Sequence, residues 1–586
     1  MPTARIPLVG SFNQRTIDGE RVLDASQDQR FLNCSFNVVQ NPITQKATIY
    51  VEKRPGWKVD AIVAANNIST GLIKTDSLSQ IISAFGDTNS TIYDGQVSVG
   101  TITGRALYFS ETFISGTGFV LIKSSDGTGW YYADDAKDQT AYVGDVHNGT
   151  AVIDSLDTTV GMYVGQAISG TDIAAGARIL TVDSASQITL NANSTGDGTD
   201  TAITKVPVAK ILDADFVTSG TSVTAFVEMD GYLFYGNSDG KVYNSDLNSI
   251  TAHTSTGFIS AQMAPDPPNA LARHKNMVLC FGHSSMEAFY NAGNATGSPL
   301  ARAPQFFTRH GALDQKSVAV LVDDIYFVTS AKYGDVQVVR LRNLSPQVVS
   351  TPNVSRILGT FASSGGAVYL SAWQLGGYNH ISTVTTTQVE SGSMLLMETG
   401  EKLLLETGDD ILLEEDPNSV GSFGRMLVSN VDLGVWSEWD CQLATFVVGI
   451  GSGATSQLIA TSRVDDDGKV YRIKPSSDGA VYTDDGSAYT MEVRTSKIDH
   501  GTENRKFVKS IRLVADEQST GTVTLEASDD DYANWVSLGT FDLTQKDKRI
   551  YGCGSYTGGR AYRLQHTAAA PCRAEALEIE YEAATV

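Results

Sequence analysis

Along most of the chain, bursts of four to seven β-branched or aromatic residues alternate with turns of Asp, Asn, Ser and Gly, while apolar residues at i, i+3, i+4 and i+7 are almost absent. Text of this kind predicts strands and hairpins rather than helices. The clearest unit is MDGYLFYGNSDGKVYNSD at 229–246. Tyr232–Tyr235 reads as a strand, Asn237–Gly240 as a turn and Lys241–Tyr243 as the returning strand. Similar units stand at 81–95, 275–293, 323–343 and 458–474. Hairpins repeated at blade-like intervals predict an all-β chain with a β-propeller core, because radial repetition leaves only short, protected edges. A series of two-sheet sandwiches is the competing arrangement.

Two stretches break the rhythm. Residues 144–206 are rich in Gly, Thr, Ser and Asp and nearly free of aromatics, with strand-like alternation in TAVID, ARILTV and QITLNA. They read as a small β-sandwich module inserted in a propeller loop, long enough to hold a core of its own but small enough to be marginal alone. Met394–Glu401, Lys402–Asp409 and Asp410–Pro417 are three octads in register, each an apolar strand followed by an acidic turn. A β-meander is expected there, and strands this regular would be an exposed edge unless covered, which suggests a docking element. Past residue 490 clean alternation predicts a terminal β-sandwich or a last blade. The expected division is an N-terminal segment with the first blades at 1–143 and the inserted module at 144–206. Further blades follow at 207–390, the octad insertion at 391–418, blades again at 419–490, and the C-terminal β-rich region at 491–586.

Charge narrows the function. Forty-three basic against 66 acidic side chains leave a net charge of −23, opposite to the balance of a protein that grips nucleic acid by neutralising phosphates. DNA as a passing cargo stays compatible with that charge. No run of about 18 apolar residues is present, so no membrane-spanning helix is expected. The opening residues lack the apolar run and small-residue cleavage site of a secretory signal. Five cysteines, at 34, 280, 441, 553 and 572, form no CxxC pair, and an odd total favours reduced, buried thiols, although Cys553 and Cys572 could meet across neighbouring strands.

Catalytic signatures are missing: no HExxH, Walker loop or dinucleotide fingerprint occurs, and the letters of GxSxG appear only at Gly236–Gly240, in a predicted hairpin turn rather than a strand-to-helix elbow. No catalytic residue, cofactor-binding residue or metal ligand is assigned, and no enzymatic activity or cofactor is expected. Asp465-Asp466-Asp467-Gly468 resembles the start of a calcium loop but lacks the alternating ligand spacing and distal glutamate, so a hairpin turn is expected. His274 and His283 bracket a predicted strand without metal-ligand spacing. Phe306-Phe307-Thr308-Arg309-His310 is the one aromatic-basic cluster, read as core plus one partner-facing charge. Ser528–Trp535 is a degenerate form of the S-x-D-x-G-x-x-W hairpin of sialidase-like propellers, with Tyr532 at the glycine position. That hairpin is a fold staple even when intact.

Ala270–Leu358 carries a wider resemblance. Its strand ends in Cys280-Phe281-Gly282, followed by Glu287, Phe289 and Tyr290, a glycine-rich connection to Gly311-Ala312, a second hairpin, and the polar closing phrase LSPQVVSTPNVSRIL. The opening phrase at 32–57 ends in an Arg54–Trp57 RPGW turn. In this order the features resemble the packaged-DNA stabilisation family of short-tailed bacteriophages, the tail-hub or nozzle proteins beneath the portal and adaptor rings. The resemblance covers the beginning, the middle and, more loosely, the C-terminal sheet; the 144–206 module and the octads depart from it. It implies a propeller-based virion subunit in a homo-hexameric ring on the tail axis, assembled in the host cytoplasm. Such a ring seals packaged double-stranded DNA, later conducts its ejection, and offers its periphery to fibres, spikes or a needle, with no membrane partner. A glycan-binding or glycan-degrading tail protein of propeller fold is the alternative, motivated by the 528–535 hairpin and the inserted module. A bacterial surface adhesin would need an export signal.

Overall fold

The structure is a computed structural model that describes residues 3–9, 29–40, 47–76, 80–216, 223–294, 296–330, 336–363, 367–386, 425–440, 443–463, 467–475, 478–530 and 532–584. The 229–246 unit forms as its pattern predicts: Tyr232–Asn237 pairs antiparallel with Lys241–Ser245 across a turn in which Gly240 takes a φ of +87°. Four-stranded antiparallel sheets of this type stand as complete blades at 69–101, 223–260, 270–302 and 318–348. A fifth joins Phe446–Ile450, Gln457–Thr461 and Lys469–Ile473 to Lys58–Ile62 from the other end of the chain. Two nine-stranded sheets each supply a further blade. One uses Ala106–Ile114, Thr117–Ser124, Gly129–Ala133 and the end of Gly198–Lys210; the other uses Ala367–Leu375, Tyr378–Thr386, Arg425–Asn430 and Val435–Asp440.

These seven sheets, numbered blade one (69–101) to blade seven (446–473 with 58–62), pack in chain order. Apolar side chains fill every seam. Leu279 and Phe281 of blade four meet Ile325 and Phe327 of blade five. Trp373 and Val428 of blade six meet Leu458 and Tyr471 of blade seven, and Ile459 and Val470 of blade seven meet Phe85 of blade one. Adding Lys58–Ile62 to blade seven closes the ring by hydrogen bonds, so no blade edge is left open at the seam between the chain ends.

Residues outside the ring build a terminal β-sandwich from both chain ends. One sheet contains Thr3–Pro7, Cys34–Gln40, Ala47–Lys53, Lys506–Ala515 and Arg573–Ala583. The other continues blade six through Arg30–Leu32 into Met491–Arg494, Ala561–His566, Thr522–Ser528 and Val536–Asp542. Phe36, Val51, Ile511, Leu525, Tyr562 and Leu577 fill the space between them. This corrects the division by chain order: Thr3–Pro7, Arg30–Leu32 and Ala47–Lys53, expected with the first blades, pair with strands beyond residue 490. Local patterning specifies a strand but not its partner, and here the partner lies hundreds of residues away.

The inserted segment also differs from expectation. It leaves blade two after the third strand and returns as the fourth. Gly198–Lys210 pairs with Ala141–Val146 and Gln166–Gly170 along most of its length, and with Trp130 and Tyr131 of the blade at its end. The segment is therefore one sheet with the blade, folded round its own core of Tyr142, Ile153, Ile168, Ile188 and Ile203, rather than a separate pair of sheets. The closing phrase LSPQVVSTPNVSRIL hides the one α-helix among the described residues, Pro352–Ser363. Pro352 occupies the first helical position, and Val354 and Leu358, four apart, bury against Val338 and Leu370 between blades five and six. The octads at 394–417 lie outside the described residues. Among those residues no helix is long and apolar enough to cross a membrane.

Candidate functional site

The RPGW phrase is the joint between propeller and sandwich. Residues 53–57 run between Ala47–Lys53 of the sandwich and Lys58–Ile62 of blade seven, and they are almost wholly buried. Arg54, 0% exposed, donates from Nη1 and Nη2 to the two carboxylate oxygens of Asp484 at 3.0 and 2.5 Å, and from Nε to Asn33 Oδ1 at 3.0 Å. Its guanidinium lies 4.1 Å from the ring centroid of Tyr489 and 5.4 Å from that of Trp439. Asp484 also accepts from Trp57 N at 3.0 Å. Lys53 donates to the carbonyls of Tyr489 and Ala568 at 2.8 and 2.7 Å; burial and the adjacent Arg54 charge push its ammonium down to about 8. Gly56 is required by space alone, since a Cβ there would sit 2.1 Å from Thr483 O.

A cavity of about 260 Å³ lies beside this joint, lined by Glu52 and Asn37 of the sandwich and by Tyr378 and His380 of blade six. Tyr378 Oη bridges the two bodies, accepting from Val38 N at 2.8 Å and donating to Asn37 Oδ1 at 3.0 Å. His380 stacks on Trp373 with ring centroids 4.6 Å apart, and burial holds its imidazole down to about 4. Burial raises Glu52 while the Asn37 amide and Arg573 oppose that rise.

The second family phrase builds the seam between blades three and four. Asp266 accepts from the backbone N–H groups of His283 and Ser284 at 2.8 and 2.7 Å and from Ser285 Oγ at 2.9 Å, fixing the turn after Cys280-Phe281-Gly282. Those donors hold its carboxyl below the usual range against the opposing effect of burial. Gly282 and Gly311 touch: Ala312 N donates to Gly282 O at 2.9 Å, and a Cβ on Gly311 would lie 2.4 Å from that oxygen. Buried Glu287 accepts from Met263 N at 2.6 Å and from Arg302 Nε at 3.1 Å, while Arg302 Nη2 reaches Ser260 O at 2.6 Å. This clamp ties the outgoing strand of blade three to blade four. The spacing of Glu287 and Arg302 across two strands carried no signal of it in the sequence.

Side chains from several blades meet at the propeller axis. The connection between blades four and five contributes Gln315, whose amide bonds both backbone groups of Leu271 at 2.7 and 3.1 Å, and Lys316, whose ammonium lies 5.3 Å over the ring of Tyr369 in blade six. With Tyr108 and Phe109 of blade two and Phe446 of blade seven they line a cavity of about 130 Å³.

The remaining sequence candidates are structural. Asp465 and Asp466 lie outside the described residues. Asp467 pairs with Lys469 at 2.5 Å, and Gly468, at φ +62°, packs on Ala64 O, as a turn does. In the 528–535 hairpin Ser528 Oγ donates to Asp530 Oδ1 at 2.9 Å, and Asn534 donates to the same carboxylate from its backbone and side chain. Tyr532, standing where the motif has glycine, takes a φ of +69°. Asp530 is held down to about 2, chiefly by the Asn534 bonds. His274 is buried on blade four and pushed below its usual range by burial; His283 acts through its backbone. Phe306 packs into the blade-four core, and Arg309 is exposed beside Phe307. Cys34, Cys280, Cys553 and Cys572 are free and buried, and burial raises each thiol, Cys572 to about 12, so none is a ready thiolate. Cys553 and Cys572, which could have met across strands, are not bonded to each other. Among the described residues no group of three His, Cys, Asp or Glu side chains could hold a metal ion.

No curated protein matches the chain. Three solved structures show a weak likeness. A computationally designed protein, Ika8, is 12% identical at a TM-score of 0.30 over 71% of this chain and 99% of its own. BBS1N in complex with ARL6DN is 10% identical at 0.31 over 73% and 99%. The Pan2 WD40 domain of Neurospora crassa is 8% identical at 0.33 over 73% and 97%. Scores this low carry no structural argument. A family model does match: residues 157–373, less than half of the 586, match the family described as bacteriophage P22 Gp10, beta-propeller. The matched stretch opens inside the inserted segment, runs through blades three to five and ends on the inner strand of blade six. Over that stretch, which holds the CFG strand, the Glu287–Arg302 clamp and the Gly282–Gly311 contact, the resemblance read from the sequence is to the phage-stabilisation family that the match identifies.

Proposed function

We propose that this chain is a structural protein of a bacteriophage tail, a hub or nozzle subunit without catalytic activity. In this reading it forms a homo-hexameric ring below portal and adaptor, retains packaged DNA and contributes to the ejection channel. It assembles in the host cytoplasm and offers its periphery to fibres, spikes or a needle. The observation that carries the reading is the family match over residues 157–373. Physical chemistry supports it. A wall that must let a polyanion slide should repel phosphate rather than trap it, and the chain carries −23. An axial cavity of about 130 Å³ cannot admit a duplex whose major groove alone is about 12 Å wide, so the conduit belongs between subunits rather than through one propeller. Neighbouring copies would then supply the wall, and retention is steric.

Antibody raised against the purified chain and viewed on intact virus particles by electron microscopy tests this. Label in a collar on the tail axis at one capsid vertex is expected. Label confined to peripheral appendages would favour the glycan-binding alternative, and no label on particles would refute both.

A further inference from the structure

In blades two to six the turn between the first two strands takes a positive φ, and the blades supply it differently. Ser115-Gly116, Asp230-Gly231 and Gly376-Gly377 use residues that accept the left-handed region, and blade four places Lys275 there at φ +55°. Blade five uses Val322, at φ +57°, between the paired Leu321 and Asp324. Among the described residues it is the one β-branched side chain with a positive φ. The last turn of the same blade repeats the choice with Leu344 at φ +62°. Leu344 is partly buried against the core shared by blades four and five, which offsets its strain. Val322 is 76% exposed and Val320 is exposed with it, so no burial among the described residues offsets the strain there.

The surroundings of Val322 are cationic. Asp324 accepts from Arg340 Nε at 2.8 Å and from Arg342 Nη2 at 3.1 Å, two cations on one carboxylate. The Lys275 ammonium of blade four donates to the neutral Asn343 Oδ1 at 3.5 Å. Exposed Asp323 offsets one of the two charges left over. A cationic apolar patch on a chain of net charge −23 calls for an acidic, apolar partner, and another part of this chain has that character. Residues 144–206 hold seven aspartates, none of them buried, against Arg178 and Lys205. Lys205 is buried and Arg178 lies over Trp130, so the outer surface of the segment is acidic. Val160, 70% exposed, stands beside the edge strand Ile179–Ser184, since Thr159 Oγ1 donates to Ser184 O at 2.9 Å, and Leu180 of that strand is exposed too.

We propose that the Val322 end of blade five docks on the inserted segment of a second copy of this chain. The inference rests on the ring reading above and names the two faces that meet in it. They belong to blades two and five, three apart in the ring of seven, and they are unlike, so each copy offers one face to each neighbour. Heterologous contacts of this kind close into a ring.

Sedimentation velocity of the full chain over a concentration series tests the contact. The parent chain is expected to associate. Val322→Asp sets a like charge against the aspartates in a turn that accepts Asp, and Val160→Asp removes the apolar contact from the other face. Each should weaken association tenfold or more. Mixed in equal amounts, the two variants should form a dimer and nothing larger, since one intact face of each kind remains. Val322→Gly should weaken association while raising the thermal midpoint, because it releases the strained φ. Undiminished association of both aspartate variants would overturn the contact and leave the ring reading standing, whereas a parent chain monomeric throughout would overturn both. A thermal midpoint lowered by Val322→Gly would show the turn to be unstrained and would also overturn the proposal.

Discussion

Two bodies are attached to the propeller, and they are attached by opposite means. The terminal sandwich is joined through a buried cationic phrase, with Lys53 and Arg54 out of water and Nε, Nη1 and Nη2 of Arg54 each donating to an acceptor. The inserted segment at 141–210 is held by one shared strand and a half-exposed rim in which Arg178 stacks 5.1 Å over Trp130 and Tyr163 meets Phe119 edge-on. The first attachment fixes an angle, because charges in a dry pocket tolerate little displacement. The second keeps two cores in register and leaves each its own stability. A wedge that must transmit load suits the former, and an outer appendage suits the latter.

The largest contrast is expected at Arg54. Arg54→Met leaves the part-buried Asp484 with the Trp57 N–H but without its charged partner, which should cost about 3 kcal/mol. The loss should appear in the urea midpoint of the sandwich, followed by Trp439 fluorescence. A change under about 1 kcal/mol would mean that the joint is wetter than its geometry indicates.

His380 gives the same attachment a pH signature. Its folded value lies near 4, below the ordinary value of about 6.5, so the unfolded chain takes up the proton first. Stability due to neutral His380 is therefore complete above about pH 6.5 and is lost as pH falls toward 4, by about 3 kcal/mol in all. Denaturation midpoints from pH 7 to pH 4 should be flatter for His380→Phe than for the parent chain. Parallel curves would place the imidazole in contact with water.

How much of this contrast was legible in the sequence differs between the two attachments. RPGW stood out as a phrase, and so did the hairpin units, since period-two alternation and turn residues are local properties. The role of Arg54 was not legible, because Asp484 lies 430 residues away and nothing local marks a carboxylate as its partner. Ring closure by Lys58–Ile62 and the shared strand Gly198–Lys210 were hidden for the same reason. The helix Pro352–Ser363 was missed because one turn-and-a-half of apolar spacing around Val354 and Leu358 is too short to compete with its polar neighbours.

The inserted segment should be removable, but only along its shared strand. Replacing 144–201 with Asn-Gly joins Val143 to Ala202, which are already paired across the sheet, and keeps Ala209 and Lys210 on Trp130 and Tyr131. The ring is expected to stay folded and lose about 2–3 kcal/mol, mainly from uncovering Trp130. A deletion carried on through Lys210 should unfold blade two. Far-ultraviolet circular dichroism and thermal midpoints of the two deletions decide the matter, and equal collapse of both would show that the segment shares its core with the blade.

The smallest effect isolates docking from folding. Arg178 donates to Gly165 O at 2.7 Å and covers the Trp130 ring, and Gly165 itself sits where a Cβ would lie 1.8 Å from Lys210 O. Arg178→Gln removes the stacked cation without adding bulk, at a cost of about 1 kcal/mol for a partly exposed contact. That loss should leave the segment's own core of Ile153, Ile168 and Ile188 intact, because none of those side chains depends on the rim. Native-state proteolysis is the sensitive reading: cleavage in the rim connections near 134–140 should quicken severalfold while the excised segment survives as a resistant fragment. Were cleavage inside 144–201 to quicken equally, rim and core would be one cooperative unit, and the inserted segment would be tied to the propeller as firmly as the sandwich is.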